Sequence, residues 1–167
     1  MYAISQRLSI LVAVVAGAMA LPEPATGGVA NAQSVTGAGH YEFTSDAGVT
    51  ALRTFALEAR RSADGTVTGR AQVKNRATGQ TVHVEIDCLN VIGNIAVLSG
   101  TARSATGPGN ADGDAEIFGV QDNSNGPDRA TRLFGNSGLV CTDITPANVG
   151  LYTYLFDDVD GGSIVIH

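Results

Sequence analysis

Hydrophobic residues recur at every second position over long stretches of this chain, which is the pattern of half-buried β-strands. The segment RTFALEARR shows it plainly, because Phe55, Leu57 and Ala59 alternate with residues that would point to the opposite face. The pair Asp64-Gly65 follows and is a common turn signal. This part of the sequence therefore predicts a β-hairpin.

The length of that turn determines which side chains face each other. A two-residue loop would place Phe55 opposite Lys74, whereas a three-residue loop, Ala63-Asp64-Gly65, places Phe55 opposite Val73. The second register also gives the pairs Leu57–Ala71, Ala59–Gly69 and Glu58–Arg70. Because a slip of one residue exchanges the two faces of a strand, the pattern selects the three-residue loop.

Two further turns extend this register across four strands. A turn at residues 76–79 sets the pairs Val73–Val82, Ala71–Val84, Gly69–Ile86, Gln72–His83 and Arg70–Glu85. A two-residue hairpin at Gly93-Asn94 sets the pairs Val91–Ala96, Leu89–Leu98 and Cys88–Ser99. Arg70 would then lie between Glu58 and Glu85 in an exposed row of ion pairs, each contributing about 0.2–1 kcal/mol.

The strand VHVEIDCLNVI loses its alternation of apolar and polar residues towards its end. Strict alternation places His83, Glu85 and Asp87 on the outer face and Cys88 on the inner face. Near the following turn, however, both faces of the hairpin are apolar. Either a partner or a covering loop lies over the outer face there, or a bulge near residues 89–91 switches the alternation.

Beyond Gly100 the strands are shorter and loops separate them. Strands are expected at residues 114–122 and 132–135, and residues 142–150 are irregular with a helical turn. The last stretch, LYTYLFDDVDGGSIVIH, predicts a hairpin turning at Asp160-Gly161-Gly162, with Ile164 and Ile166 on the inner face. The fold class is therefore all-β, a single antiparallel meander of eight or nine strands. Such a meander would hide its edges by closing as a barrel or a two-sheet sandwich.

The first residues have the features of a secretory signal peptide. Arg7 precedes an apolar run from Leu8 that is too short to span a bilayer comfortably and ends in small residues. Cleavage is expected after Ala32, with Ala20 as the second candidate and an uncleaved anchor as the alternative. Residues 1–32 are thus predicted to be removed. Residues 33–167 would form one secreted, extracytoplasmic domain with no stable membrane span.

Charge and cysteine content narrow the class of function. The net charge is −6 and comes from the second half of the chain, so the sequence argues against nucleic acid as a partner. Two cysteines in an exported chain most simply form one disulfide, Cys88–Cys141. It would contribute about 4 kcal/mol in the chain-entropy account. Free thiols, or one catalytic thiol, are the alternative.

Candidate chemistry is sparse. The register places Glu85 and Asp87 on a solvated face, which favours a structural role over acid–base catalysis. The three histidines form no short-range ligand motif, although His40 and His167 would approach, as for a zinc site, if the first and last strands paired to close a barrel. The acidic loops are better metal candidates, and Asp122, Asn123 and Asp128 are the expected calcium ligands. The same residue types are also ordinary turn formers.

Four patches carry motifs that occur together: RTFALEARRSADGTVTGRAQV, VHVEIDCLNVIGNIAVLSG, FGVQDNSNGPDRATRLFG and CTDITP. They resemble a group of small exported bacterial proteins of unknown function. The shared features are an F-x-F/L-x-A-R strand, a D-G-T-hydrophobic-x-G turn, a C-L-x-V-x-G-N hairpin and a hydrophobic-x-D-N/G…P-D loop. The resemblance covers most of the mature chain and implies an all-β exported domain with its two cysteines paired. It implies no activity.

Together these features predict a secreted binding or surface-associated β domain, whose partner is an extracellular ligand or surface component. No cofactor is expected apart from calcium. The sequence has no G-x-S-x-G, H-E-x-x-H or S-x-x-K motif, so an enzyme is the less favoured alternative. That alternative is a barrel that binds a small ligand, or a barrel hydrolase or isomerase with dispersed polar residues. A barrel interior filled with side chains would argue against both the ligand-binding barrel and the barrel enzyme.

Overall fold

A computed structural model describes residues 32–44 and 48–167 of the chain. The predicted signal peptide, except for its last residue, lies outside the described residues. Ten strands occur in the order β1 (Gln33–Thr44), β2 (Thr50–Arg61), β3 (Val67–Asn75), β4 (Thr81–Ile92), β5 (Ile95–Thr106), β6 (Ala115–Gln121), β7 (Arg129–Thr131), β8 (Phe134–Gly135), β9 (Phe156–Asp158) and β10 (Gly161–Ile166). Three short 3-10 turns lie between β8 and β9, at Cys141–Asp143, Val149–Leu151 and Thr153–Leu155.

The strands form one antiparallel sheet in the order β10-β1-β2-β3-β4-β5-β6-β7-β9, and β8 pairs with β6. The all-β class and the antiparallel meander are therefore confirmed. The sheet curls into a half-barrel, so the predicted closure into a barrel or a sandwich is wrong. Its two edge strands, β9 and β10, are consecutive in the chain but pair only with β7 and β1. A seam remains between them.

The register predicted for the central strands is confirmed. Phe55 lies opposite Val73, Ala71 lies opposite Val84, and Leu89 lies opposite Leu98. Arg70 lies between Glu58 and Glu85, as expected. Gly65 has a φ of 87°, which the last residue of the three-residue loop requires. The pattern determines the register here because one face of each strand is buried.

The alternation of faces switches within β4. This strand has one extra residue, Asp87, between the pairs Ile86–Gly100 and Cys88–Ser99. The resulting bulge turns Cys88 to the outer face and returns Leu89 to the inner face. The predicted inner position of Cys88 is therefore wrong, because the bulge lies before the cysteine and not after it.

Glycines and bulges allow the sheet to curl. A Cβ on Gly69 would lie 2.7 Å from the Cβ of Ala59 on the adjacent strand, and a Cβ on Gly100 would collide with the main-chain carbonyl of Glu85. A second bulge places Arg103 as an extra residue in β5. Bulges and glycines at crowded inner positions are the devices by which β-sheets bend sharply.

Side chains fill the inner face of the curled sheet. Aromatic and aliphatic residues from β1 to β7 and β10 form one continuous core, in which Tyr41 and Phe55 are the large members of the first hairpin. The hydroxyl of Tyr41 donates a hydrogen bond to the carbonyl oxygen of Thr131 at 2.9 Å, and burial raises its pKa. This packing weakens the alternative of a ligand or a reaction inside a barrel.

The end of the chain departs from the predicted hairpin. Residues 153–155 form a 3-10 turn where a strand was expected, and β9 and β10 do not pair with each other. The chain crosses the seam at Val159-Asp160, where the two amides donate to the carbonyl oxygens of Asp128 and His40 at 2.7 and 2.9 Å. Ile164 packs in the inner core, as predicted. The expected helical turn within residues 142–150 is present.

Candidate functional site

The outer face of β5 and β6 is apolar. It carries Ile95, Val97 and Ile117, which form a second core cluster with Ile144 and Phe156. Residues 137–155, which we call the covering segment, supply part of that cluster and lie over this face. The sequence offered a bulge or a cover as alternatives for this hairpin, and the structure contains both.

The covering segment is attached to the sheet at its beginning. Cys141 forms the predicted disulfide with Cys88, with a Cα–Cα separation of 5.8 Å. The amide of Cys141 also donates a hydrogen bond to Oγ of Ser99 at 3.1 Å. Nδ2 of Asn90 donates to the carbonyl oxygens of Cys141 and Ile144 at 3.2 and 2.6 Å. The attachments through Cys88 and Asn90 depend on the bulge at Asp87, because it turns these two residues of β4 outward.

A pocket of about 140 Å³ remains between the covering segment and the sheet. Carbon atoms form nearly all of its surface. Its walls are Ile95, Val97, Ile117, Phe118, Gly119, Thr131, Phe134, Ser137, Leu139, Ile144, Val149, Tyr152, Leu155 and Phe156. The hydroxyl of Thr131 is already engaged, since it accepts from the amide of Gly119 and donates to the carbonyl oxygen of Arg132, both at 2.9 Å. The pocket can therefore receive apolar groups.

Apolar side chains also reach the solvent on the covering segment. Leu139 and Val140 are 37% and 49% exposed, and Leu151 and Tyr154 are 71% and 79% exposed. Large side chains of this kind, close together on a surface, commonly mark a contact with another molecule. Leu139 belongs both to this group and to the pocket wall, so the two features are continuous.

The predicted ion-pair row is divided between two separate pairs. Nε of Arg70 lies 2.9 Å from Oε1 of Glu58, whereas Glu85 pairs with Arg103. Arg103 reaches Glu85 because it is the extra residue of the second bulge. The side chains of His83 and Asp87 are exposed on the same outer face. These groups are solvated and lie away from the apolar pocket.

The structure does not bring the candidate histidines together. Strands β1 and β10 do pair, but His40 lies opposite Gly161 at one end of the pairing. The main chain of His167 pairs with that of Ser34 at the other end. Six residues of extended strand separate the two positions, which is about 20 Å.

The three predicted calcium ligands lie at the seam of the sheet. Asp128 accepts hydrogen bonds from the amides of Asn123 and Ile164 at 2.9 and 2.7 Å. Asp122 accepts one from the amide of Ile166 at 3.1 Å. In the part of the chain that the structure describes, no three His, Cys, Asp or Glu side chains are grouped to hold a metal ion. Calcium binding at these residues stays a prediction.

Sequence reasoning identified only part of the pocket. The two-sided apolar hairpin at residues 89–98 indicated either a cover over the outer face or a bulge in the strand. It did not reveal that residues 137–155 form the cover, because the alternation in LYTYL was interpreted as a strand. Tyr152 and Leu155 were therefore assigned to a sheet and not to a pocket wall.

Comparison with known proteins adds no assignment. No protein-family model, curated protein or solved structure matches the chain. Within residues 32–44 and 48–167, none of the helical segments is long and apolar enough to cross a membrane. The function is therefore argued from the site itself.

Proposed function

We propose that this protein is an exported binding domain that holds a small apolar group in the pocket beneath its covering segment. The observation that carries the proposal is the pocket itself, whose walls are almost wholly carbon and which lies against exposed apolar side chains. Apolar pockets with few polar groups are the usual form of small-molecule sites.

Export is supported by two independent features. The N-terminal residues have the charged start, apolar run and small-residue end of a signal peptide. The Cys88–Cys141 disulfide is the kind of bond that persists in oxidising compartments outside the cytoplasm. The domain would therefore encounter its ligand outside the cell or at its surface.

The size of the pocket limits what it accepts. An apolar cavity of about 150 Å³ admits a benzene-sized molecule. The pocket of about 140 Å³ therefore suits a group of about six carbon atoms and not a whole drug-sized ligand. The remainder of a larger ligand would lie outside, against Leu139 and the exposed residues beside it.

The covering segment is suited to admit such a group. Its secondary structure consists of three 3-10 turns of three residues each, and the attachments at Cys141 and Ile144 lie in its first half. The hydrogen bond from Arg129 to the carbonyl oxygen of Thr153, in its second half, is long at 3.5 Å. Segments with few hydrogen bonds to the rest of the fold open at low free-energy cost. Its second half, which includes Val149 and Tyr152, would move to open the pocket.

Titration of the full mature chain with 1-hexanol, followed by NMR chemical shifts, tests the proposal. Shifts should concentrate at Val97, Ile117, Val149 and Tyr152 and should saturate. Val149→Phe and Val97→Phe each fill the pocket and should weaken binding about tenfold or more, since each removes the space for several carbon atoms. Val165→Phe is the matched control, because it makes the same change at an exposed position of β10.

Two results would contradict the proposal. Shifts spread evenly over the surface, with no saturation, would show that hexanol does not enter the pocket. Equal weakening by Val165→Phe would show that the filled pocket is not the cause. The variants are compared only where the shifts of β2 and β3 show an unchanged fold.

A further inference from the structure

Two phenylalanines and two arginines alternate in a row that starts at the pocket wall. The guanidinium carbon of Arg132 lies 4.7 Å from the ring centroid of Phe134, which lines the pocket. The same carbon lies 5.4 Å from the ring centroid of Phe43, and Arg53 approaches that ring at 5.0 Å. Arg132 therefore places a positive charge one aromatic ring away from the pocket.

Neither guanidinium has an acceptor among the residues that the structure describes. Arg53 and Arg132 take part in no ion pair there and donate no side-chain hydrogen bond, and Nε of Arg53 is buried without a partner. The other arginines near carboxylates are paired: Arg70 with Glu58, Arg103 with Glu85 and Arg129 with Asp158. A guanidinium carries five donors, and leaving them unused beside apolar surface is unfavourable.

Asp157 is a carboxylate close enough to this row for its charge to interact with the two arginines. Its charge interacts with those of Arg53, Arg132 and Arg129, but it forms an ion pair with none of them. The two arginines together exceed this one carboxylate by one positive charge. An acidic protein thus keeps a local positive site next to its apolar pocket.

We propose that the ligand of the pocket is an amphipathic carboxylate, whose apolar part occupies the pocket and whose carboxylate is bound by Arg132, with Arg53 adding a second positive charge. This inference rests on the proposed function. The planar fork of a guanidinium matches the two oxygens of a carboxylate. The ring of Phe134 joins the two parts of the site, because it lines the pocket and also contacts Arg132.

The test compares hexanoate with 1-hexanol at neutral pH on the full mature chain. Both probes have the same six-carbon length and differ in the head group. Hexanoate should bind about tenfold more tightly, as expected for one charge-assisted hydrogen-bonded pair. The advantage should shrink as sodium chloride is raised, while hexanol binding should not weaken.

Variants show which residues produce the tighter binding of hexanoate. Arg132→Gln should reduce hexanoate binding to the level of hexanol and leave hexanol binding unchanged. Asp157→Asn should strengthen hexanoate binding, because it removes a like charge. Arg70→Gln is the matched control, since Arg70 is exposed, pairs with Glu58 and is not part of the pocket wall.

The outcomes separate the two proposals. If neither probe binds the wild-type pocket, the proposed function is wrong. If both bind equally well, only the carboxylate inference is overturned, and this comparison needs no variant to fold. Equal loss of hexanol and hexanoate in Arg132→Gln would likewise overturn it, because the arginine would then support the pocket wall and not the head group.

Discussion

Glu116 is the one charged residue that is almost fully buried among the described residues, with 2% of its surface exposed. Nδ2 of Asn110 donates a hydrogen bond to its Oε1, and Oδ1 of Asn110 accepts from Nε2 of Gln80 at 2.7 Å. Oε2 has no partner among the described residues. Burial raises the pKa of Glu116, the Asn110 hydrogen bond opposes that shift, and the charge of Asp114 adds to it. The Glu116 side chain links the loop after β5 to the sheet. In its charged form, however, the buried carboxylate destabilises the folded protein.

This raised pKa predicts a pH-dependent loss of stability. A carboxyl group whose pKa is higher in the folded state binds more protons there, so the free energy of unfolding falls as pH rises through the window between the unfolded and folded pKa values. The loss is absent below the unfolded pKa and complete above the folded pKa. Glu116→Gln keeps an acceptor for Asn110 and removes the charge. It should be more stable than wild type at neutral pH, by on the order of 1 kcal/mol, and equal to it or less stable at pH 4.

Urea unfolding at several pH values measures the difference between Glu116→Gln and wild type. Glu42→Gln, which removes an exposed carboxylate of β1, is the control. A stability difference for Glu116→Gln that does not grow with pH would contradict the prediction.

At the scale of elements, the sequence predicted the strand pairings that depend on local residue pattern. The pairing of β2 with β3 follows from turn chemistry and from one buried face, and Phe55 and Val73 are neighbours as expected. The sequence offered a bulge near residues 89–91 but could not place it at Asp87, because the residues that follow Asp87 are apolar in either register. The position of the covering segment depends on contacts between residues about 50 positions apart, such as those of Asn90 and Ile144. Alternation within one segment cannot reveal such contacts.

The disulfide should stabilise the covering segment more than any strand. Replacing both cysteines, Cys88→Ser with Cys141→Ser, reopens a loop of 53 residues and should lower the free energy of unfolding by about 4 kcal/mol. Amide exchange should then accelerate first in residues 137–155, while β2 and β3 retain the slowest amides. Hydrogen-exchange mass spectrometry measures both.

Ser99→Ala provides a milder control, because it removes one acceptor for the amide of Cys141 and leaves the disulfide intact. It should accelerate exchange near residue 141 and lower the stability by about 1–3 kcal/mol. If the double cysteine variant exchanges uniformly faster over the whole sheet, the covering segment is not an independently opening unit.

At the scale of the whole molecule, hydrogen bonds to side chains cover the seam between β9 and β10, because the two strands do not pair. Strand β10 has β1 on one side only, and on its other side the amides of Ile164 and Ile166 donate to the carboxylates of Asp128 and Asp122. Unpaired strand edges recruit other chains, and proteins commonly cover them. Two of the three loop residues expected to bind calcium, Asp122 and Asp128, therefore satisfy the edge of the sheet.

Asp128→Asn tests this role of the seam. Asp128 accepts two amide hydrogen bonds, one on each carboxylate oxygen, whereas an asparagine has one acceptor oxygen and an NH₂ group that would face an amide donor. The variant should lose about 1–3 kcal/mol of stability and should self-associate more readily through β10. Urea unfolding and light scattering measure the two effects. Asp160→Asn removes the same charge at an exposed position beside the seam and should change neither. A fully monomeric Asp128→Asn variant with unchanged stability would show that the carboxylate does not protect the edge of β10.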